Sequence, residues 1–157
     1  MKNSAFLIIC IALLAGCAST PEPQLTPLEI QSLQTRTYEN PKDIVFASVV
    51  SVFQDLGYQI ETADIASGLI SSESAASSNA GFGDALIGRT RVEKTRATAF
   101  VEQIGSSTQV RLNFLVSNRT SSAYGQTDQN DQPILDADIY QNAFERVENA
   151  IFIRDVD

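Results

Sequence analysis

The sequence predicts a single α+β domain, an antiparallel sheet of about five strands covered on one side by two helices. Three observations carry this prediction. Apolar residues recur at helical spacing in only two segments, near Pro41–Leu56 and Ala137–Phe152. Between them lie four strand-like segments, with clear period-two alternation at Tyr58–Thr62 and Val110–Val116, and glycine-bearing turns at Asp64–Gly68 and Gly105–Ser107 that suit antiparallel hairpins. The 141 residues from Cys17 to Asp157 suffice for one hydrophobic core and are few for two. The expected order is β-α-β-β-β-β-α, a two-layer sandwich.

Residues 1–16 are set apart from that domain. Lys2 is followed by an apolar run from Ala5 to Ala15, the layout of a secretory signal. Eleven residues are too short for the roughly 20 that a spanning helix needs. Residues 17–29 contain Pro21, Pro23 and Pro27, and proline at this density predicts an extended tether. The domain is assigned to residues 30–157.

Ile30 to Tyr38 mixes β-branched and aromatic residues in loose alternation and reads as the first strand. Asn40 is then a good N-cap, Pro41 suits the first helical position, and Asp43 complements the positive helix end. Val45, Val49, Val52, Phe53 and Leu56 form one face, and Gly57 stops the helix. Tyr58–Thr62 and Leu69–Glu73 read as a hairpin around Asp64–Gly68. Ser74–Gly88 is small, polar and without period, hence a loop.

Arg89–Ile104 is a long strand that turns at Gly105 into another, where Val110, Leu112, Phe114 and Val116 face one way and Arg111 and Asn113 the other. Asn118–Gln132 reads as a second polar loop. Asp136 is the expected N-cap of the last helix, whose buried face is Ile139, Tyr140, Ala143, Phe144, Val147, Ala150 and Ile151.

Composition excludes several functions. The chain has no histidine, so a Ser-His-Asp or Cys-His arrangement is impossible and the commonest metal ligand is missing. If Cys10 leaves with the signal, Cys17 is the sole cysteine of the mature chain, and an intramolecular disulfide is ruled out. The net charge of −8 argues against nucleic acid as a partner. The aspartates 128, 131, 136 and 138 lack EF-hand spacing. No metal, cofactor or catalytic residue is expected, and the chain reads as a non-enzyme.

Two surface features remain. Arg89, Arg91, Lys94 and Arg96 concentrate positive charge and suit an acidic partner, or else a solvated strand end that blunts an exposed edge. Phe82, within a glycine-bearing loop, is an apolar side chain available to a partner or membrane.

Leu14-Ala15-Gly16-Cys17 resembles the lipobox of bacterial lipoproteins. That resemblance implies cleavage before Cys17 and acylation of its thiol and new amino end. Ala18, where an aspartate would favour the inner membrane, implies an outer-membrane destination facing the periplasm. The run from Val49 to Ile60 through Leu56-Gly57-Tyr58, followed by Asp64 and Gly68-Leu69-Ile70, is similar to uncharacterised envelope lipoproteins and to domains of BamC-like lipoproteins. It implies one such domain with a role in envelope protein binding or assembly. The alternative is a small-ligand or lipid-binding module, which would show a cavity of several hundred Å³ lined by Phe100, Phe114 and Phe144.

Overall fold

A computed structural model describes residues 25–78, 90–121 and 127–156. They form one antiparallel sheet with helices on a single face, the α+β two-layer arrangement expected. In chain order the elements are α1 (Pro27–Gln34), β1 (Thr35–Tyr38), α2 (Lys42–Asp55), β2 (Tyr58–Asp64), β3 (Leu69–Ser74) and β4 (Ser77–Ser78). They continue with β5 (Thr90–Ile104), β6 (Ser107–Ser121), β7 (Thr127–Pro133) and α3 (Ala137–Asp155). The sheet order is β1-β6-β5-β3-β2, with β4 added beside β5 and β7 beside β6.

The segment expected as a first strand is mostly helix. Thr26 accepts from the Glu29 amide while the Glu29 carboxylate accepts from the Thr26 amide, a complete capping box with Pro27 at the first turn. Those local bonds outweigh the β-branched content of the segment. Only Thr35–Tyr38 is extended, and the tether gives way to helix at Pro27 rather than after residue 29.

α2 begins one residue later than expected, with Pro41 at the N-cap and no side-chain cap of its own. Gln103 supplies the missing acceptor: its Oε1 receives the Lys42 amide at 3.1 Å, while its Nε2 bonds Gly105 and Ser107 carbonyls in the β5–β6 turn. Asn40, expected as the cap, instead accepts at its carbonyl from the Thr108 hydroxyl. Gly57 ends the helix with φ +85°, as a left-handed C′ residue does.

The core lies between sheet and helices. Val45, Val49, Val52 and Phe53 of α2 and Tyr140, Phe144, Val147 and Ile151 of α3 pack on Ala97, Ala99, Val101, Val110, Leu112 and Phe114. Small alanines on the middle strand β5 let the helices approach closely. Ile139, expected in the core, is 41% exposed, because Tyr140 and Ala143 take the inward positions of that turn.

The region expected as a second polar loop is largely sheet. β6 continues to Ser121, and β7 pairs with it from Leu115↔Pro133 to Ser121↔Thr127. Every residue of β7 is exposed, so it carries no apolar alternation by which a strand is recognised. β5 and β6 thus run fifteen residues each, flanked toward their outer ends by β4 and β7. Two further strands and one further helix join the expected elements.

The break between β1 and β7 along β6 is sealed by side chains. The Phe114 amide donates to the Tyr140 hydroxyl at 3.3 Å, its carbonyl accepts from the Ile134 amide, and Gln34 reaches both Asn113 and Tyr140. The Phe114 amide and carbonyl, left without ladder partners at this break, are thereby paired.

Candidate functional site

The sheet face turned away from the helices is the best candidate for a functional surface. Alternation along β5 sends Ala97, Ala99 and Val101 into the core and leaves Lys94, Arg96 and Phe100 on the open side. Phe100 sits on the middle strand and is 43% exposed. Its ladder neighbours are Leu69 on β3, 45% exposed, and Arg111 on β6. The cavity lined jointly by Phe100, Phe114 and Phe144 is therefore not formed. Phe114 and Phe144 are buried beneath the helices, and Phe100 is on the opposite side of the sheet.

A charged network runs along the same open face. Glu73 on β3 bridges Lys94 at 2.5 Å and Arg96 at 3.5 Å. On β6 and β7, Arg119 donates to Gln129, whose amide in turn donates to Asp131. The Lys94 hydrogen bond, followed by the charges of Lys94 and Arg96, holds the Glu73 carboxyl below its ordinary pKa. Hydrogen bonds from Ser117 and Gln129 lower that of Asp131, with Arg96 adding to the effect. Lys94 and Arg96 are thus internally paired, and ion pairs this exposed contribute at most about 1 kcal/mol.

A pH dependence follows. A carboxylate whose folded pKa is depressed stabilises the fold above its unfolded value and loses that contribution as pH falls through the folded one. Glu73→Gln is expected to flatten the loss of stability below about pH 4 relative to the unmodified chain. Denaturant titrations at several pH values check this; parallel acid limbs would contradict it.

The expected site residues are divided by the structure. Lys94 and Arg96 share the open face; Arg91 pairs with Thr120 in the β5–β6 ladder. Cys17, Phe82 and Arg89 lie outside the described residues. Leu69, Phe100 and Arg111 were not singled out as contact residues from sequence. Strand parity could have found them, since Phe100 is out of step with Ala97, Ala99 and Val101. Among the described residues there is no group of acidic, cysteine or histidine side chains able to hold a metal. Nor does any described helix have the length and apolarity to cross a membrane.

No protein-family model matches the chain, and no curated protein matches it. Among solved structures, a DUF4468 family protein from Bacteroides ovatus ATCC 8483 is similar over 86% of this chain and 91% of its own. The identity is 10% and the TM-score 0.38, a likeness that carries no argument about fold or function.

Proposed function

We propose that the chain is a non-enzymatic lipoprotein of the outer membrane, facing the periplasm, whose domain docks another envelope protein through the open face of its sheet. Lipid on Cys17 provides the anchor. The observation that carries the docking face is Phe100, a large aromatic ring exposed on the middle strand between Leu69 and Arg111. Aromatic and arginine side chains dominate the energetics of protein interfaces, and neighbouring apolar groups exclude water around them. The paired charges of Lys94, Glu73 and Arg96 border the ring on one side, as a polar rim borders an interface core. The resemblance to BamC-like lipoproteins supports an assembly-related partner.

Crosslinked pull-down of the lipidated protein from intact envelopes tests this reading. A specific envelope protein is expected with the unmodified chain, at reduced yield with Cys17→Ser, and not with Phe100→Asp. Recovery of no specific protein would contradict the docking function, and undiminished recovery with Phe100→Asp would contradict its placement.

A further inference from the structure

The helical side of the domain carries a second concavity, independent of the open sheet face. α2 and α3 separate where α2 ends and α3 begins, leaving a groove of about 380 Å³ over β6. That volume falls within the range of small-ligand sites. Its apolar lining comes from Leu56 at the end of α2, Phe114 on β6, and Ile139 and Ala143 on α3. Tyr58, at the start of β2, adds a ring packed 6.4 Å from that of Phe114. Ile139 is the wall that departs from the core pattern, holding 41% of its surface in the open where its helix could have presented a polar residue.

The lining carries one formal charge, the carboxylate of Asp138, which sits in the first turn of α3 at that helix's positive end. Asp138 and Asn142 complete the lining, and among the described residues no lysine or arginine lines it. The Asn142 side-chain Oδ1 accepts from Arg146 Nε at 2.9 Å, which commits that guanidinium to the helix surface. Leu56 is the C-cap of α2, so the negative end of that helix also borders the groove and offsets the positive end of α3. Burial pushes the Tyr58 hydroxyl pKa up and keeps it a neutral hydrogen-bonding group.

We infer that this groove binds a small molecule with a compact apolar body and one protonated amine, the body lying against Leu56, Phe114 and Ile139 and the ammonium meeting the Asp138 carboxylate. Charge complementarity selects this occupant. An anionic amphiphile would set its carboxylate against that of Asp138, and a neutral one would leave the one formal charge of the lining unmatched.

The test uses the full chain carrying Cys17→Ser and three probes of one shape: adamantylamine, adamantanol and adamantanecarboxylate, titrated by calorimetry. Adamantylamine is expected to bind roughly fivefold more tightly than adamantanol, the gain from one partly exposed ion pair. The carboxylate should bind weakest. Asp138→Asn should bring the amine down to the alcohol while leaving the alcohol unchanged, and Ile139→Ala should weaken both. Thermal melts of both variants establish that they remain folded. Absence of amine binding, equal binding of all three probes, or an unchanged preference in Asp138→Asn would overturn the proposal. So would sedimentation showing a dimer that Ile139→Asp dissociates, which would place a second copy of the chain in the groove.

Discussion

Phe53→Ala is expected to lower the unfolding free energy by about 3–5 kcal/mol, the range for truncating a buried phenylalanine. Phe53 is fully buried in the layer where α2 meets the sheet. Its ring lies 5.9 Å from that of Tyr58 and 6.3 Å from that of Phe114, which itself packs edge-on against Tyr140 at 5.2 Å. Removing the first ring takes away both its transfer energy and the support of two others, and α2, tied at its start to the β5–β6 turn through Gln103, cannot close in freely to fill the space. Urea denaturation would show a lower midpoint with little change in slope. A loss under about 1 kcal/mol would mean that the core collapses freely around position 53.

Gly68→Ala should cost about 2–4 kcal/mol through a different mechanism, a left-handed backbone combined with a clash. Gly68 has φ +78°, donates its amide to the Asp64 carbonyl and accepts the Val101 amide, each at 2.8 Å. A Cβ there would stand 2.1 Å from the Val101 carbonyl oxygen, so the β2–β3 turn must pull away from β5. Gly57 is the internal control. Its φ is +85°, yet a Cβ meets nothing within 4 Å, and Gly57→Ala should cost only about 1 kcal/mol. Equal losses in the two variants would assign the whole effect to backbone conformation and none to the close approach.

The legible parts of this fold are those in which one face is buried and the other is not. The spacing of Val45, Val49, Val52 and Phe53 located α2, and the alternation of Val110, Leu112 and Phe114 located β6, because burial acts on those residues directly. β7 escaped notice for the converse reason: its Thr-Asp-Gln-Asn-Asp-Gln-Pro run is exposed throughout, and strand pairing alone leaves no mark on composition. The capping box of Thr26 and Glu29 was present in the sequence, but the prolines upstream and the β-branched residues downstream favoured extended readings. The open face was obscured by hydrophobicity itself. Phe100 stands among apolar residues and passes for core until its parity is compared with that of Ala99 and Val101.

The groove was hidden for a related reason. Ile139 fits the helical face of α3 by spacing, and only the packing of α2 against α3 decides that Tyr140 and Ala143 turn inward while Ile139 borders a cleft. The basic cluster was legible as charge. That Glu73, twenty-one positions before Lys94, would pair with two of its four members depends on the β3–β5 register and was not.

The claim that most needs testing is that the open sheet face, and not the helical side, meets the partner at the membrane. A photoreactive amino acid placed at position 100 and, separately, at the solvent-exposed Asn149 on α3 tests it in intact envelopes. One discrete crosslinked band is expected from position 100, weakened by Cys17→Ser, and none from position 149. A discrete band from position 149 with none from position 100 would contradict it.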